Sequence, residues 1–91
     1  MPSKKYQLAR YRNEALRPDF ELEVEDGKSI VIRQPDVDEV LDLNGMTDPR
    51  AILQVLAKDQ YEELMQTIGS EPGGVLQALI DDIVRHFGLG K

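Results

Sequence analysis

The sequence predicts an α+β domain, predominantly α-helical, with one N-terminal β-hairpin packed on three or four short helices. Three observations carry that reading. Apolar and acidic residues alternate from Phe20 to Glu25, and the alternation resumes at Ile30 and Ile32, the period of two that marks a half-buried strand. From Val75 to Phe87 apolar residues recur at spacings of three and four, the period of a helix with one buried face. A chain of 91 residues without an internal repeat has room for one small core.

Lys4 to Leu16 is rich in helix formers, and Leu8, Tyr11 and Ala15 share one face at helical spacing, so a short helix is expected there. Pro18 restricts Arg17 to extended conformations and ends it. Residues 1–17 therefore read as a basic arm, either helical or disordered, ahead of a single globular unit over residues 18–91. Within the hairpin, a two-residue Asp26-Gly27 loop would pair Leu22 with Val31 and mix the two faces. A three-residue Glu25-Asp26-Gly27 loop instead sets Leu22 opposite Ile30 and Phe20 opposite Ile32, with Gly27 in a left-handed bulge position.

After Gln34-Pro35, Asp36 is placed to cap a short helix in which Val37, Val40 and Leu41 are expected to point inward until Asn44-Gly45 stops it. Thr47-Asp48-Pro49 is a stronger start, a cap residue followed by Pro at the first helical position, leading into Ile52, Leu53 and Leu56. Around Lys58-Asp59 the pattern allows either a continuous helix or a break, with Asp59 capping a further segment that carries Tyr61, Leu64, Met65 and Ile68 on one face before Gly69. Ser70-Glu71-Pro72 opens the last helix, weakened in its first turn by Gly73 and Gly74 and ended by Gly88.

Charge is divided unevenly. Residues 1–17 hold five Lys or Arg against one Glu, a net of +4, leaving −10 for residues 18–91 of the total −6. A body of that sign repels phosphates, and no nucleic-acid reading motif accompanies the few cations, so nucleic acid is not expected as a partner. With no Cys and no Trp there is neither a thiolate nucleophile nor a Cys-based zinc site. No apolar run has the length of a signal or spanning segment, so no membrane partner is expected.

Candidate chemistry is sparse. His86 follows Asp82 by four residues, a spacing that suits a general base or two metal ligands and equally suits ordinary pairing near a helix C-terminus. Asp38, Glu39 and Asp42 are close in sequence but lack the Gly and terminal Glu offsets of a calcium loop, and acids in a first helical turn complement the dipole. Pro72-Gly73-Gly74 has neither a preceding strand nor the Lys-Ser/Thr of a phosphate loop. Tyr6, Tyr11 and Tyr61 form no aromatic platform that spacing can demonstrate, and Met46 and Met65 suit core filling. No catalytic, cofactor or metal residue is assigned.

The order of hairpin, short acidic helix and helices carrying LAKDQYEELMQTIGSEPGGVLQALIDDIVRHFGL resembles the tail assembly chaperones of long-tailed, siphovirus-type bacteriophages, particularly those infecting actinobacteria. The resemblance spans about Phe20 to Leu89. It is most specific at Asp59-Gln60-Tyr61 with Leu64, and from Pro72 through Ile83 to His86-Phe87-Gly88. It departs at Lys58, where such proteins often have Gly. The resemblance implies a non-enzymatic helper in the cytoplasm of the bacterial host, absent from the mature virion, that binds the tape measure protein and keeps it soluble until the tail tube polymerises around it. It also implies a longer product of programmed ribosomal slippage, to which Gly90-Lys91 is suited, as a route to the tail tube protein. Self-association into a homo-oligomer is a further expected contact.

Expected partner contacts are apolar positions on the two C-terminal helices, Tyr61, Met65 and Val84, together with Lys4, Lys5, Arg10 and Arg12 of the arm. The unpaired hairpin edges, guarded by Glu21, Glu23 and Glu25, are expected either to add a strand from a partner or simply to cover the core. The competing reading is an acidic regulatory or inhibitor protein that mimics nucleic-acid charge, which would need carboxylates at duplex-like spacing on one face. A metal-dependent hydrolase ranks third, limited by a single His and no convincing nucleophile.

Overall fold

In the computed structural model, which describes residues 5–89, the chain runs through helix α1 (Leu8–Ala15) and strands β1 (Phe20–Glu23) and β2 (Ser29–Ile32). Helices α2 (Val37–Leu43), α3 (Pro49–Ala57), α4 (Tyr61–Ile68) and α5 (Gly74–His86) follow. The architecture is the mostly helical α+β arrangement expected, with the hairpin ahead of the helices that bury it. Lys4, Gly90 and Lys91 lie outside the described residues.

The hairpin has the register of the three-residue loop: Phe20 opposes Ile32 and Leu22 opposes Ile30. A 3-10 turn over Glu25–Gly27 makes the loop, closed by the Val24 N–H donating to the Lys28 carbonyl at 2.8 Å. Gly27 has φ +71, the left-handed backbone that costs a residue without Cβ nothing. Ile30 and Ile32 are buried, Phe20, Leu22 and Val24 are half-buried, and the intervening residues are exposed. One face therefore lies on the helices. There β2 meets the turn between α3 and α4.

Leu53 and Leu56 of α3, Leu64 of α4 and Ile83 of α5 close the core with Ile30 and Ile32, and Ala57, Leu79, Ile80 and Phe87 complete it. No polar side chain among the described residues is buried, so apolar transfer and packing hold the fold together.

The helix ends follow their cap residues. Asp48 accepts the Arg50 N–H at 3.0 Å, and Pro49 occupies the first turn of α3. At α5 the Leu89 N–H bonds the Val84 carbonyl and the Gly88 N–H bonds the Arg85 carbonyl, with Gly88 at φ +69, which is a Schellman ending. The break at Lys58-Asp59 is present, but Asp59 does not cap the segment that follows, since no side chain caps α4. Lys58 makes the break, at φ +56 and ψ −125, where a 3-10 turn over Lys58–Gln60 redirects the chain.

Two expectations are corrected. Val37, Val40 and Leu41 do not point inward: Val37 is 75% and Leu41 63% exposed, and Val40 is exposed as well. The buried or half-buried positions are Pro35, Glu39 and Leu43, spaced by four. Asp36 caps α2 with a reciprocal capping box to Glu39, and a Glu39 carboxylate oxygen lies 2.9 Å from the Lys58 ammonium, so Glu39 turns toward the α3–α4 junction. Positions 37 and 41 lie half a turn away from residue 39 and must face outward. Likewise the helical part of the arm is shorter than Lys4 to Leu16, and none of its residues is buried.

That arm sets the shape. The radius of gyration is 15.9 Å, against about 12 Å for a compact domain of this length. The extents are 63 × 31 × 21 Å, as a helix standing clear of the core would produce.

Candidate partner-binding surface

Large apolar side chains that remain exposed are the groups with unused binding free energy. Eight are exposed among the described residues, and seven gather in two places. Tyr6, Leu8, Tyr11 and Leu16 belong to the arm, and Val37, Val40 and Leu41 to α2; the eighth, Val31, lies on the outer face of β2.

The α2 cluster continues into a groove. Val37, Val40 and Leu41 form one wall, Phe87, Gly88 and Leu89 at the end of α5 form the other, and Ala15, Arg17, Gln34, Pro35 and Asp36 close one end, around about 400 Å³. A second hollow of about 350 Å³ shares Val40, Leu41 and Leu89 and extends the groove past Leu43 to Asn44 and Gly45. The lining is mainly apolar, with one acid, Asp36, and one cation, Arg17, at its closed end.

The arm is anchored at the rim of this groove. The Gln34 side-chain amide donates to the Ala15 carbonyl at 2.9 Å, and its oxygen accepts the Arg17 N–H at 3.0 Å. One side chain thus supplies both bonds that a neighbouring strand would supply, fixing where α1 leaves the body. Along the arm Arg10 pairs with Glu14 at 3.3 Å, Tyr6 and Tyr11 stack at 6.5 Å, and Lys5 and Arg12 are exposed.

The expected contacts on the C-terminal helices sit differently. Tyr61, Met65 and Val84 are half-buried and pack against the core. The Tyr61 hydroxyl accepts from Arg50 Nη1 at 3.1 Å. Met65 borders a shallow cleft of about 160 Å³ with Ile68, Pro72 and Leu76. Each keeps some accessible surface, but seven of the eight exposed large apolar residues are on the arm and α2. The helical period identified Val37, Val40 and Leu41 as one face and assigned it the wrong side. The spacing of Pro35, Glu39 and Leu43 was the available signal, masked by Glu39, which reads as solvent-facing until Lys58 is seen beside it.

A third hollow of about 540 Å³ lies between the hairpin tip and the α4–α5 connection, with Leu22, Val24, Ile68 and Val75 at its floor and Glu23, Glu25 and Glu71 at its edge. No fully exposed large apolar residue borders it.

The single histidine is structural. His86 Nε2 lies 2.8 Å from the Pro18 carbonyl, which can only accept, so that nitrogen donates. Its ring meets Phe20 and Phe87 edge-on at 5.5 and 4.8 Å. Asp82 pairs with Arg85 at 3.3 Å. Among the described residues no three His, Asp or Glu side chains gather as a metal site, and no helix is long and apolar enough to cross a membrane. Compared with protein-family models, curated proteins and solved structures, the chain matches none.

Proposed function

We propose that the protein is a non-enzymatic assembly chaperone whose α2 groove and arm hold an apolar helical segment of a client, kept soluble by the chaperone's own net charge. The observation that carries this reading is the concentration of seven of the eight exposed large apolar residues on the arm and on α2, beside a groove. The sequence resemblance supplies the client's identity: the tape measure protein of a long-tailed phage, held in the bacterial cytoplasm until the tail tube forms around it. Lys4, Lys5, Arg10, Arg12, Tyr61, Met65 and Val84 are secondary contacts in this reading.

Co-expression with the tape measure protein of the same genome tests it. The client is expected to become soluble and to co-purify with the chain, and Leu41→Asp is expected to abolish co-purification while leaving the chaperone folded. A client that remains insoluble with the wild-type chain and with any longer slippage product overturns the proposal.

A further inference from the structure

Helix α1 has eight residues, and none is buried. Helices shorter than about 12–15 residues are marginal in water, so α1 needs a surface to lie on. Its apolar stripe, Leu8 and Tyr11, sits among cations in a segment whose net charge is +4. The α2 groove is the apolar complement, lined by Val37, Val40, Leu41, Phe87 and Leu89 with Asp36 and Arg17 at one end, and residues 18–91, to which it belongs, carry a net −10 against the arm's +4. The lengths also match, since eight-residue α1 and seven-residue α2 span about 12 and about 10 Å.

We infer that α1 of one copy docks in the α2 groove of a second copy. The second copy is the occupant because of how α1 is held. The Gln34 amide pins Ala15 and Arg17 together, Leu16 between them is extended at φ −62 and ψ 134, and Pro18 stiffens Arg17. These constraints start α1 at the rim of its own groove, where Ala15 is the one α1 residue in the lining, and direct it outward. Turning back at Leu16 would break the bond from the Gln34 amide to the Ala15 carbonyl. Since every copy offers one arm and one groove, the exchange closes as a symmetric dimer, two arm-to-groove contacts related by a two-fold axis.

The surface is shared with the proposed client, but the contact is tested on purified full-length protein alone, so failure of co-expression and failure of this exchange are separate results. The chain has no native Cys, which allows a clean pairing experiment. Leu8→Cys and Leu41→Cys copies, altered at positions 72% and 63% exposed and therefore tolerant of change, are mixed in equal amounts under mild oxidation. The expected product is the mixed disulfide dimer, above the half that random pairing gives. Same-variant dimers in equal or greater amount overturn the assignment. In sedimentation equilibrium the wild-type chain is expected to dimerise, less tightly as salt shortens the Debye length from about 10 Å at 0.1 M to about 3 Å at 1 M. Leu41→Asp is expected to weaken the dimer by about tenfold or more, through lost apolar contact and the cost of burying a carboxylate beneath Leu8 and Tyr11. A wild-type monomer at all concentrations, or a dimer indifferent to both salt and Leu41→Asp, overturns the proposal.

Discussion

Lys58 occupies backbone that glycine usually takes. At φ +56 and ψ −125 a side chain is strained by roughly 1–3 kcal/mol. Its ion pair with half-buried Glu39 offsets only part of this, since such pairs contribute about 0–1 kcal/mol when solvent reaches them. Replacing Lys58 by Ala or Gly removes the ion pair equally, so the difference between the two variants isolates the backbone. Lys58→Gly is expected to be more stable than Lys58→Ala by about 1 kcal/mol in urea unfolding, the reverse of the order in a helix interior. His86→Ala is expected to cost about 2 kcal/mol, from one hydrogen bond and two edge-on ring contacts, with client binding retained. Leu53→Ala should cost about 2–5 kcal/mol by leaving a cavity, whereas Leu41→Ala should stay within about 0.5 kcal/mol of wild type.

Among the elements, those whose pattern has one physical reading were legible in the sequence. The hairpin register followed from face arithmetic, because a slip of one residue would turn Leu22 and Ile30 to opposite faces. The starts of α2 and α3 followed from Asp36 and Asp48, whose side chains accept the backbone N–H groups that a helix leaves unpaired. Asp36→Ala should therefore cost about 1 kcal/mol, measured by chemical denaturation. Which face of α2 is covered was not legible, since amphipathicity fixes a stripe but does not say what it meets. Long-range contacts decided it: Glu39 with Lys58, and Leu43 on the core. The same ambiguity promoted Tyr61, Met65 and Val84, whose apolar spacing reflects the core they lean on as much as any partner. The α3–α4 break was legible only as a choice, because a lysine can carry positive φ but does not announce it.

For the molecule as a whole, charge and apolar exposure are arranged together. The acidic body disfavours indiscriminate association, while the exposed apolar residues of the arm and α2 give a selective partner somewhere to bind. The proposed holding role needs that balance, with contacts that cover an apolar segment and still release it. The elongated outline has a separate consequence, in hydrodynamics. A body 63 Å long and 21 Å thin meets more friction than a sphere of equal volume, so even one copy should diffuse slowly for its mass and leave a sizing column early. Its frictional ratio then becomes a direct gauge of the arm: a projecting α1 raises it, and an arm laid into a groove brings it down.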